Sequence, residues 1–153
     1  MNSSKWLGVA LLAGTMMAHA ATASAKTCAV NIEGTDAMQF SQKTIAVAAD
    51  CTEVELTLKH VGKLPITAMG HNWVLTETPV FQAVANAGMT AGPANDYLPP
   101  GDKRVIAHTK VVGGGQSTSV KFPTSALKKG GDYTFFCSFP GHWAVMQGKL
   151  TFG

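Results

Sequence analysis

The residues with the richest chemistry lie in one short segment near the C-terminus, between Cys137 and Met146. A thiol, an imidazole and a thioether follow each other there, with four residues between Cys137 and His142 and three between His142 and Met146. All three side chains can point inward from a single loop, because Pro140 and Gly141 suit the central positions of a type II turn. The segment therefore predicts a metal site built from soft and borderline ligands.

A second histidine is needed to complete a recognisable coordination set. Two imidazoles and a thiolate in a trigonal arrangement, with a long axial thioether, are the pattern of a mononuclear copper electron-transfer site. The best candidate is His71, which follows Gly70. A glycine lets the backbone approach a metal closely, so the Gly70 carbonyl is predicted as a weak ligand opposite Met146.

Each of these residues has an ordinary structural interpretation when it is considered alone. A lone buried cysteine such as Cys137 is usually an inert small hydrophobe, and a methionine such as Met146 commonly fills the core. The combination of Cys137, His142, Met146 and His71 favours the metal site over that interpretation. His60 and His108 lie outside the loop and are not assigned to metal, and Trp73 is assigned to the core.

The N-terminal residues predict a signal peptide from Met1 to Ala25. Lys5 precedes an apolar stretch, and small residues ending in Ala23, Ser24 and Ala25 form an A-x-A cleavage site. An earlier cleavage after Ala20 fits less well. The apolar stretch is shorter than the roughly 20 residues of a membrane-spanning helix, so we expect an exported protein without a membrane anchor.

Export determines the interpretation of the three cysteines. In an oxidising compartment paired cysteines form disulfides, and an odd cysteine needs a reason to stay free. Cys28 and Cys51 lie close together near the mature N-terminus, whereas Cys137 stands alone in an aromatic run. We therefore pair Cys28 with Cys51, a bridge that contributes about 3 kcal/mol by restricting the unfolded chain.

The elements that must position these residues are predominantly strands. Alternation is clearest where Val54, Leu56 and Leu58 face away from their polar neighbours. Glycine and proline turns separate eight predicted strands, namely Ala29–Gly34, Thr44–Ala48, Val54–Lys59, Asn72–Thr76, Arg104–Thr109, Ser117–Phe122, Asp132–Cys137 and Gly148–Phe152. This spacing predicts a sandwich or barrel of antiparallel strands in one domain, residues 26–153, with a short helix inserted at Val80–Gly88.

The charge balance excludes one large class of partners. The chain has 12 Lys and Arg against 9 Asp and Glu, and no basic run exceeds the pair Lys128 and Lys129. A nucleic-acid-binding surface requires a concentrated basic patch. We therefore expect no nucleic-acid partner.

Four features together resemble a known family. They are the spacing of Cys137, His142 and Met146, the stretch from Met69 to Leu75, the stretch from Arg104 to Lys110, and the early cysteine pair. The chain is similar over nearly all of its mature length to the azurins, a group of bacterial cupredoxins. The resemblance implies an all-β Greek-key sandwich of about eight strands with one short helix. It also implies one copper ion that cycles between Cu(I) and Cu(II).

The resemblance further implies roles for individual residues. Copper would be bound by His71, Cys137 and His142, with weaker contacts from Met146 and the Gly70 carbonyl, and with the Cys28–Cys51 disulfide away from the metal. The backbone N–H groups of Asn72 and Phe139 would donate to the sulfur, and the Asn72 side chain would tie the two ligand segments together. His60 would lie beneath the site and His108 on the surface.

The outer edge of His142 would be the exit for the electron, surrounded by an apolar docking collar. The resemblance places seven residues in this collar, namely Met38, Leu64, Met69, Met89, Phe139, Pro140 and Ala144. Trp143 departs from the small residue that many azurins carry after the loop histidine, and it would either extend the docking collar or fill a groove.

These features predict a periplasmic type 1 blue copper electron-transfer protein that is not an enzyme. The resemblance implies transient redox partners such as c-type cytochromes, nitrite reductase or an amine dehydrogenase, and we expect a monomer. Copper storage or delivery is the alternative function, although delivery sites are usually more open. A catalytic copper centre needs further histidines, of which only His60 and His108 remain. A structural zinc site would use the same His-Cys-His set and is interpreted as misloading.

Overall fold

The computed structural model describes residues 25–153. Nine strands and two α-helices make up nearly half of this part of the chain, and one-turn 3₁₀ helices connect several of them. The strands are β1 (Thr27–Thr35), β2 (Gln39–Phe40), β3 (Thr44–Val47), β4 (Glu53–His60), β5 (Val74–Glu77), β6 (Val105–His108), β7 (Ser117–Pro123), β8 (Tyr133–Phe136) and β9 (Gln147–Phe152), and the helices are α1 (Ile66–Met69) and α2 (Phe81–Gly88).

The strands form two facing sheets, which confirms the predicted β-sandwich. One sheet has the strand order β2-β1-β4-β7, and the other has the order β3-β9-β8-β5-β6. All eight predicted strands are present with small shifts at their ends, and the predicted helix becomes α2, preceded by a 3₁₀ turn at Thr78–Val80. The two-residue strand β2 and the single-turn helix α1 were not predicted, because segments this short carry no measurable periodicity.

The expectation of purely antiparallel strands is wrong for two strand pairs. β1 pairs with β4, and β3 pairs with β9, in parallel register. Both pairs arise because the chain changes sheet between β2 and β3 and again between β3 and β4. Alternation along a strand reports which side chains face the core, and it contains no information about the direction of the neighbouring strand.

The core lies between the sheets and is centred on Trp73. Its indole is fully buried and stacks 6.0 Å from the ring of Phe122 in β7 and 6.0 Å from the ring of Phe135 in β8. Val54, Leu56 and Leu58 of β4 are buried as their alternation predicted. These contacts confirm the core assignment of Trp73 and fix the relative positions of the two sheets.

A second apolar cluster lies on the outer face of the five-stranded sheet. Val84 and Ala85 of α2 pack there with Val74 and Phe136. Because this face is also covered, all four residues of β8 are buried. The helix therefore supports the outer side of the strand that leads into Cys137.

The disulfide joins Cys28 and Cys51, as predicted. It lies at the end of the sandwich where β4 begins, since Cys28 pairs with Val54. The opposite end of β4 is His60, which pairs with Gly34. The bridge is thus separated from that end by the length of the strand.

No helix within residues 25–153 combines the length and the apolar character that crossing a bilayer requires. The predicted signal peptide, apart from Ala25, lies outside the described residues.

We expect the double variant Cys28→Ala/Cys51→Ala to lose about 3 kcal/mol of unfolding free energy, because the unfolded chain regains the freedom of the closed loop. Urea denaturation of the metal-free protein measures the loss. Wild-type protein with the bridge chemically reduced serves as the control and should lose a similar amount. A loss below about 1 kcal/mol would contradict the prediction.

Candidate metal centre

Three candidate ligands converge at one end of the sandwich. The Nδ1 atoms of His71 and His142 and the Sγ atom of Cys137 all lie within 4.8 Å of one another, and all three residues are buried. Cys137 directly follows β8, and His142 begins a 3₁₀ turn at His142–Ala144. His71 lies just after α1, where its backbone forms an isolated bridge with Val112.

The distances between the three atoms fit a single metal ion. Bonds of about 2.3 Å to sulfur and about 2.0–2.1 Å to nitrogen, set 120° apart, place the sulfur about 3.7 Å from each nitrogen. The observed distances from Cys137 Sγ are 3.8 Å to His71 Nδ1 and 3.6 Å to His142 Nδ1. The side chains therefore already stand at the spacing that coordination requires.

The loop between Cys137 and Met146 is closed by backbone hydrogen bonds. The N–H of His142 donates to the carbonyl of Phe139 at 3.0 Å, and Gly141 has φ +81° and ψ −16°. This is the predicted type II turn, whose third residue requires a positive φ. The Cys137 N–H also donates to the Met146 carbonyl at 3.0 Å, so both ends of the loop are held together.

Both imidazoles present a free ring nitrogen toward the sulfur. His71 Nε2 lies 2.9 Å from the Thr35 carbonyl, and only a protonated Nε2 can donate to it, which leaves Nδ1 as an electron-pair donor. Burial lowers the pKa of His71 below its usual value. Burial, followed by the nearby rings of His71 and His60, lowers the pKa of His142 to about 4. Both rings are consequently neutral at neutral pH, which is the form that binds metals.

The thiol of Cys137 is in a different situation. Burial raises its pKa to about 12, and the backbone N–H groups of Asn72 and Phe139 partly oppose this rise. A thiolate is the form that coordinates a metal, so metal binding at this site must release the thiol proton. The two N–H groups match the donors that the family resemblance implied for the sulfur.

The two predicted weak ligands, Gly70 and Met146, are both buried. The Gly70 carbonyl oxygen lies 3.8 Å from Cys137 Sγ. A Cβ at Gly70 would lie 2.7 Å from the Ile66 carbonyl and 2.8 Å from the Phe139 ring, so only glycine fits. Met146 is fully buried.

Gly34 is a site residue that the sequence did not reveal. A Cβ placed on Gly34 would lie 2.9 Å from Cδ2 of His71 and 3.1 Å from Cε of Met146. The backbone of β1 therefore forms one wall of the candidate site. A glycine at the end of a strand carries no distinguishing signal, because it is also common in turns.

Asn72 and Ser138 form a hydrogen-bonded pair that joins the segment of His71 to the segment of Cys137, as expected for Asn72. Its Oδ1 accepts from the Ser138 N–H at 2.8 Å, and its Nδ2 donates to Ser138 Oγ at 2.7 Å. Both residues are fully buried. Ser138 was not predicted, although its position between Cys137 and Phe139 could have suggested it.

The two histidines that were not assigned to metal, His60 and His108, lie in different environments. His60 is buried with its ring 4.3 Å from the His71 ring, and its Nε2 lies 3.1 Å from Asp36 Oδ1. His108 is exposed. Neither contributes a donor atom to the group formed by His71, Cys137 and His142.

The residues of the docking collar differ in exposure. Five of the seven are exposed, namely Met38, Leu64, Met89, Pro140 and Ala144. Met69 is half-buried, and Phe139 is buried with its ring 4.6 Å from the His142 ring. Trp143 is half-buried and packs edge-on against Phe81 of α2 at 6.3 Å. The indole therefore packs against the helix while part of it reaches the surface.

We expect Gly34→Ala to displace His71 and Met146 and to cost about 1–3 kcal/mol of stability, because the new methyl group overlaps both side chains. Denaturation of the metal-free protein measures the cost, and the position of the thiolate-to-copper absorption band measures the displacement. Gly101→Ala is the control, since Gly101 has φ +70° and open space around it. That variant should lose stability from backbone strain without moving the band. An unchanged band in Gly34→Ala would contradict the prediction.

Comparison with known proteins agrees with this geometry. The model of the family described as copper binding proteins, plastocyanin/azurin family, matches residues 26–153. An azurin of Bordetella pertussis is 54% identical over 143 residues, which are 94% of this chain and 93% of the relative. An azurin of Alcaligenes faecalis is 56% identical over 126 residues, covering 82% of this chain and 98% of the relative.

A solved structure supports the same assignment. An azurin from the obligate methylotroph Methylomonas sp. strain J superimposes with a TM-score of 0.80 at 46% sequence identity. The match covers 82% of this chain and 98% of the other. The sandwich, the His-Cys-His group and these similarities establish that the chain belongs to the plastocyanin/azurin family of copper-binding proteins.

Proposed function

We propose that this protein is a periplasmic type 1 copper electron carrier in which His71, Cys137 and His142 hold one copper ion. Met146 and the Gly70 carbonyl would be weaker ligands of the same ion. When bound, the copper ion supplies a one-electron couple between Cu(I) and Cu(II). The convergence of three buried donor atoms at metal-binding distances is the observation that carries this proposal.

The surroundings of the three ligands favour electron transfer because they resist rearrangement. Cu(II) prefers nitrogen ligands and tetragonal geometry, whereas Cu(I) accepts sulfur and low coordination, so a mixed and rigid set suits both states. The Thr35 carbonyl fixes the His71 ring, and the Asn72–Ser138 pair joins the segment that carries His71 to the segment that carries Cys137. These contacts support rapid exchange of single electrons.

The proposed exit for the electron is the outer edge of His142. His71 is completely buried, whereas 4% of His142 is exposed. Leu64 and Met89, which the family resemblance places in the docking collar around this edge, are exposed apolar side chains. Ile66 is also exposed and lies beside Gly70, so we add it to the docking collar.

An apolar collar without dense charge suits brief encounters with redox proteins. Weak redox complexes use small interfaces, and methionine-containing surfaces adapt to several partners. We propose c-type cytochromes, nitrite reductase or an amine dehydrogenase as partners, with the carrier itself monomeric. Trp143 contributes mainly by packing the ligand loop against α2, and its exposed part adds to the docking collar.

The proposed location rests on the predicted leader and on the disulfide. Residues Met1 to Ala25 have the pattern of a cleavable signal peptide. The Cys28–Cys51 bridge requires an oxidising compartment. Both features support export to the periplasm, with the mature domain at residues 26–153.

The visible spectrum of the purified protein after addition of Cu(II) tests the proposed function. We expect an intense blue thiolate-to-copper band that bleaches with ascorbate and returns with an oxidant. Cys137→Ser should abolish the band, because serine supplies no thiolate. His108→Gln is the matched control and should keep it, since His108 is exposed and outside the donor group. No band in the folded wild type, or loss of copper on reduction, would favour storage, delivery or zinc binding.

A charge placed in the docking collar tests the exit route. We expect Leu64→Lys to slow electron self-exchange by at least about tenfold at low ionic strength, because two like charges must meet in the encounter complex. Added salt should restore part of the rate. Ser125→Lys adds the same charge next to Thr124, which contacts Cys51 at the disulfide end, and should leave the rate nearly unchanged. Equal effects of the two variants would exclude docking at the collar.

A further inference from the structure

Two consecutive residues near the metal centre adopt a conformation that L-amino acids rarely use. Asp96 has φ 52° and ψ 28°, and Tyr97 has φ 53°. Left-handed backbone costs roughly 1–2 kcal/mol per residue outside glycine, and asparagine and aspartate tolerate it best. Two such residues in succession need compensating interactions, and the contacts of Asp96 provide them.

The side chain of Asp96 holds the turn in place. Its Oδ1 accepts the backbone N–H of Val111 at 2.8 Å. The N–H of Asp96 donates to the Pro93 carbonyl at 3.1 Å, and the N–H of Tyr97 donates to the Gly92 carbonyl at 3.1 Å. The carboxylate thereby ties the turn to the segment that follows β6. This segment also reaches the metal centre, because Val112 forms the isolated bridge with His71.

The backbone carbonyl of Asp96 is aimed at the pair that joins the ligand segments. It accepts a hydrogen bond from Ser138 Oγ at 2.7 Å and a second from Asn72 Nδ2 at 3.2 Å. Both donor residues are fully buried. If this carbonyl turned away, the two donors would lose an acceptor that no solvent could replace, at a cost of about 1–3 kcal/mol for each group.

This arrangement links Asp96 to the sulfur of Cys137 in two steps. Ser138 and Asn72 are held by the Asp96 carbonyl, and the backbone N–H groups that interact with the sulfur belong to Asn72 and to Phe139, the neighbour of Ser138. Tyr97 adds a direct contact, since its ring lies 5.2 Å from the Phe139 ring. The turn therefore contacts both residues whose N–H groups surround the sulfur.

We propose that Asp96 is a positioning residue of the copper site, whose carboxylate and left-handed backbone aim its carbonyl at Ser138 and Asn72 and so set the hydrogen bonds to Cys137. The expected effect on the reduction potential rests on the proposed function, because it requires a bound copper ion. Hydrogen bonds to a thiolate withdraw electron density from the sulfur and favour the reduced metal. Loosening them strengthens donation to Cu(II) and lowers the reduction potential.

Three substitutions distinguish the effect of the Asp96 carboxylate from the effect of its left-handed backbone conformation. Asp96→Asn keeps an oxygen acceptor and the tolerance of left-handed backbone. Asp96→Gly keeps the backbone angle and loses the acceptor for Val111. Asp96→Ala loses both. The asparagine variant should therefore behave like the wild type, the glycine variant should be impaired, and the alanine variant should be impaired most.

Amide hydrogen exchange in the metal-free protein gives the first readout. We expect exchange at the Ser138 N–H to accelerate at least tenfold in Asp96→Gly and to stay within twofold of wild type in Asp96→Asn. Asp102→Gly is the matched control, because Asp102 also accepts a backbone N–H, from Arg104, and the side-chain hydrogen bonds of Asn72 and Ser138 go to Asp96 and to each other. Wild-type exchange at Ser138 in a folded Asp96→Gly protein would overturn the proposal.

The reduction potential of the copper-loaded protein gives the second readout. We expect the potential to fall in Asp96→Gly, to fall further in Asp96→Ala, and to remain at the wild-type value in Asp96→Asn and Asp102→Gly. Potentials unchanged in all four variants would overturn the electronic part of the proposal. If the wild type lacked the blue band, the proposed function would fail, while the exchange experiment would still decide the role of Asp96 in positioning Ser138.

Discussion

The structure depends on keeping a thiol and two imidazoles together in a buried pocket. Polar groups lose hydration when they are buried, so most of them find a protein partner. Among the described residues near the site, His60 Nδ1 and Trp73 Nε1 are exceptions that have no hydrogen-bond partner. The Asn72–Ser138 pair satisfies this requirement by using both the amide oxygen and the amide nitrogen of Asn72. The same bonds join two segments that are far apart in the chain. Satisfying buried polar groups and fixing the metal geometry are therefore achieved by the same contacts.

The rest of the sandwich keeps these contacts in register. Trp73 follows Asn72 and is clamped between Phe122 and Phe135 of the two sheets. Phe136 precedes Cys137 and is covered on the outer face by α2. Each ligand segment is therefore anchored by a buried aromatic residue, Trp73 in the His71 segment and Phe136 in the Cys137 segment. Because protein interiors are close-packed, displacement of either segment would disturb these aromatic contacts.

Much of the fold was predictable because burial on one face of a strand leaves a clear alternation. Leu56 and its neighbours in β4 followed this pattern and are buried as expected. The parallel pairing of β1 with β4 was not predictable, because pairing direction depends on where the chain crosses between sheets. β8 departs from alternation because α2 covers its second face.

The sequence by itself determined the donor types, the spacing of Cys137, His142 and Met146, and the pairing of Cys28 with Cys51. These features are local or follow from export, so a linear pattern contains them. The sequence also indicated His71, but only the tertiary structure placed it beside the loop and revealed Gly34, Ser138 and Asp96 as neighbours of the site. Those three act through a missing Cβ, a hydroxyl and a backbone carbonyl. Such groups occur throughout any chain, and their importance arises only from what the fold places beside them.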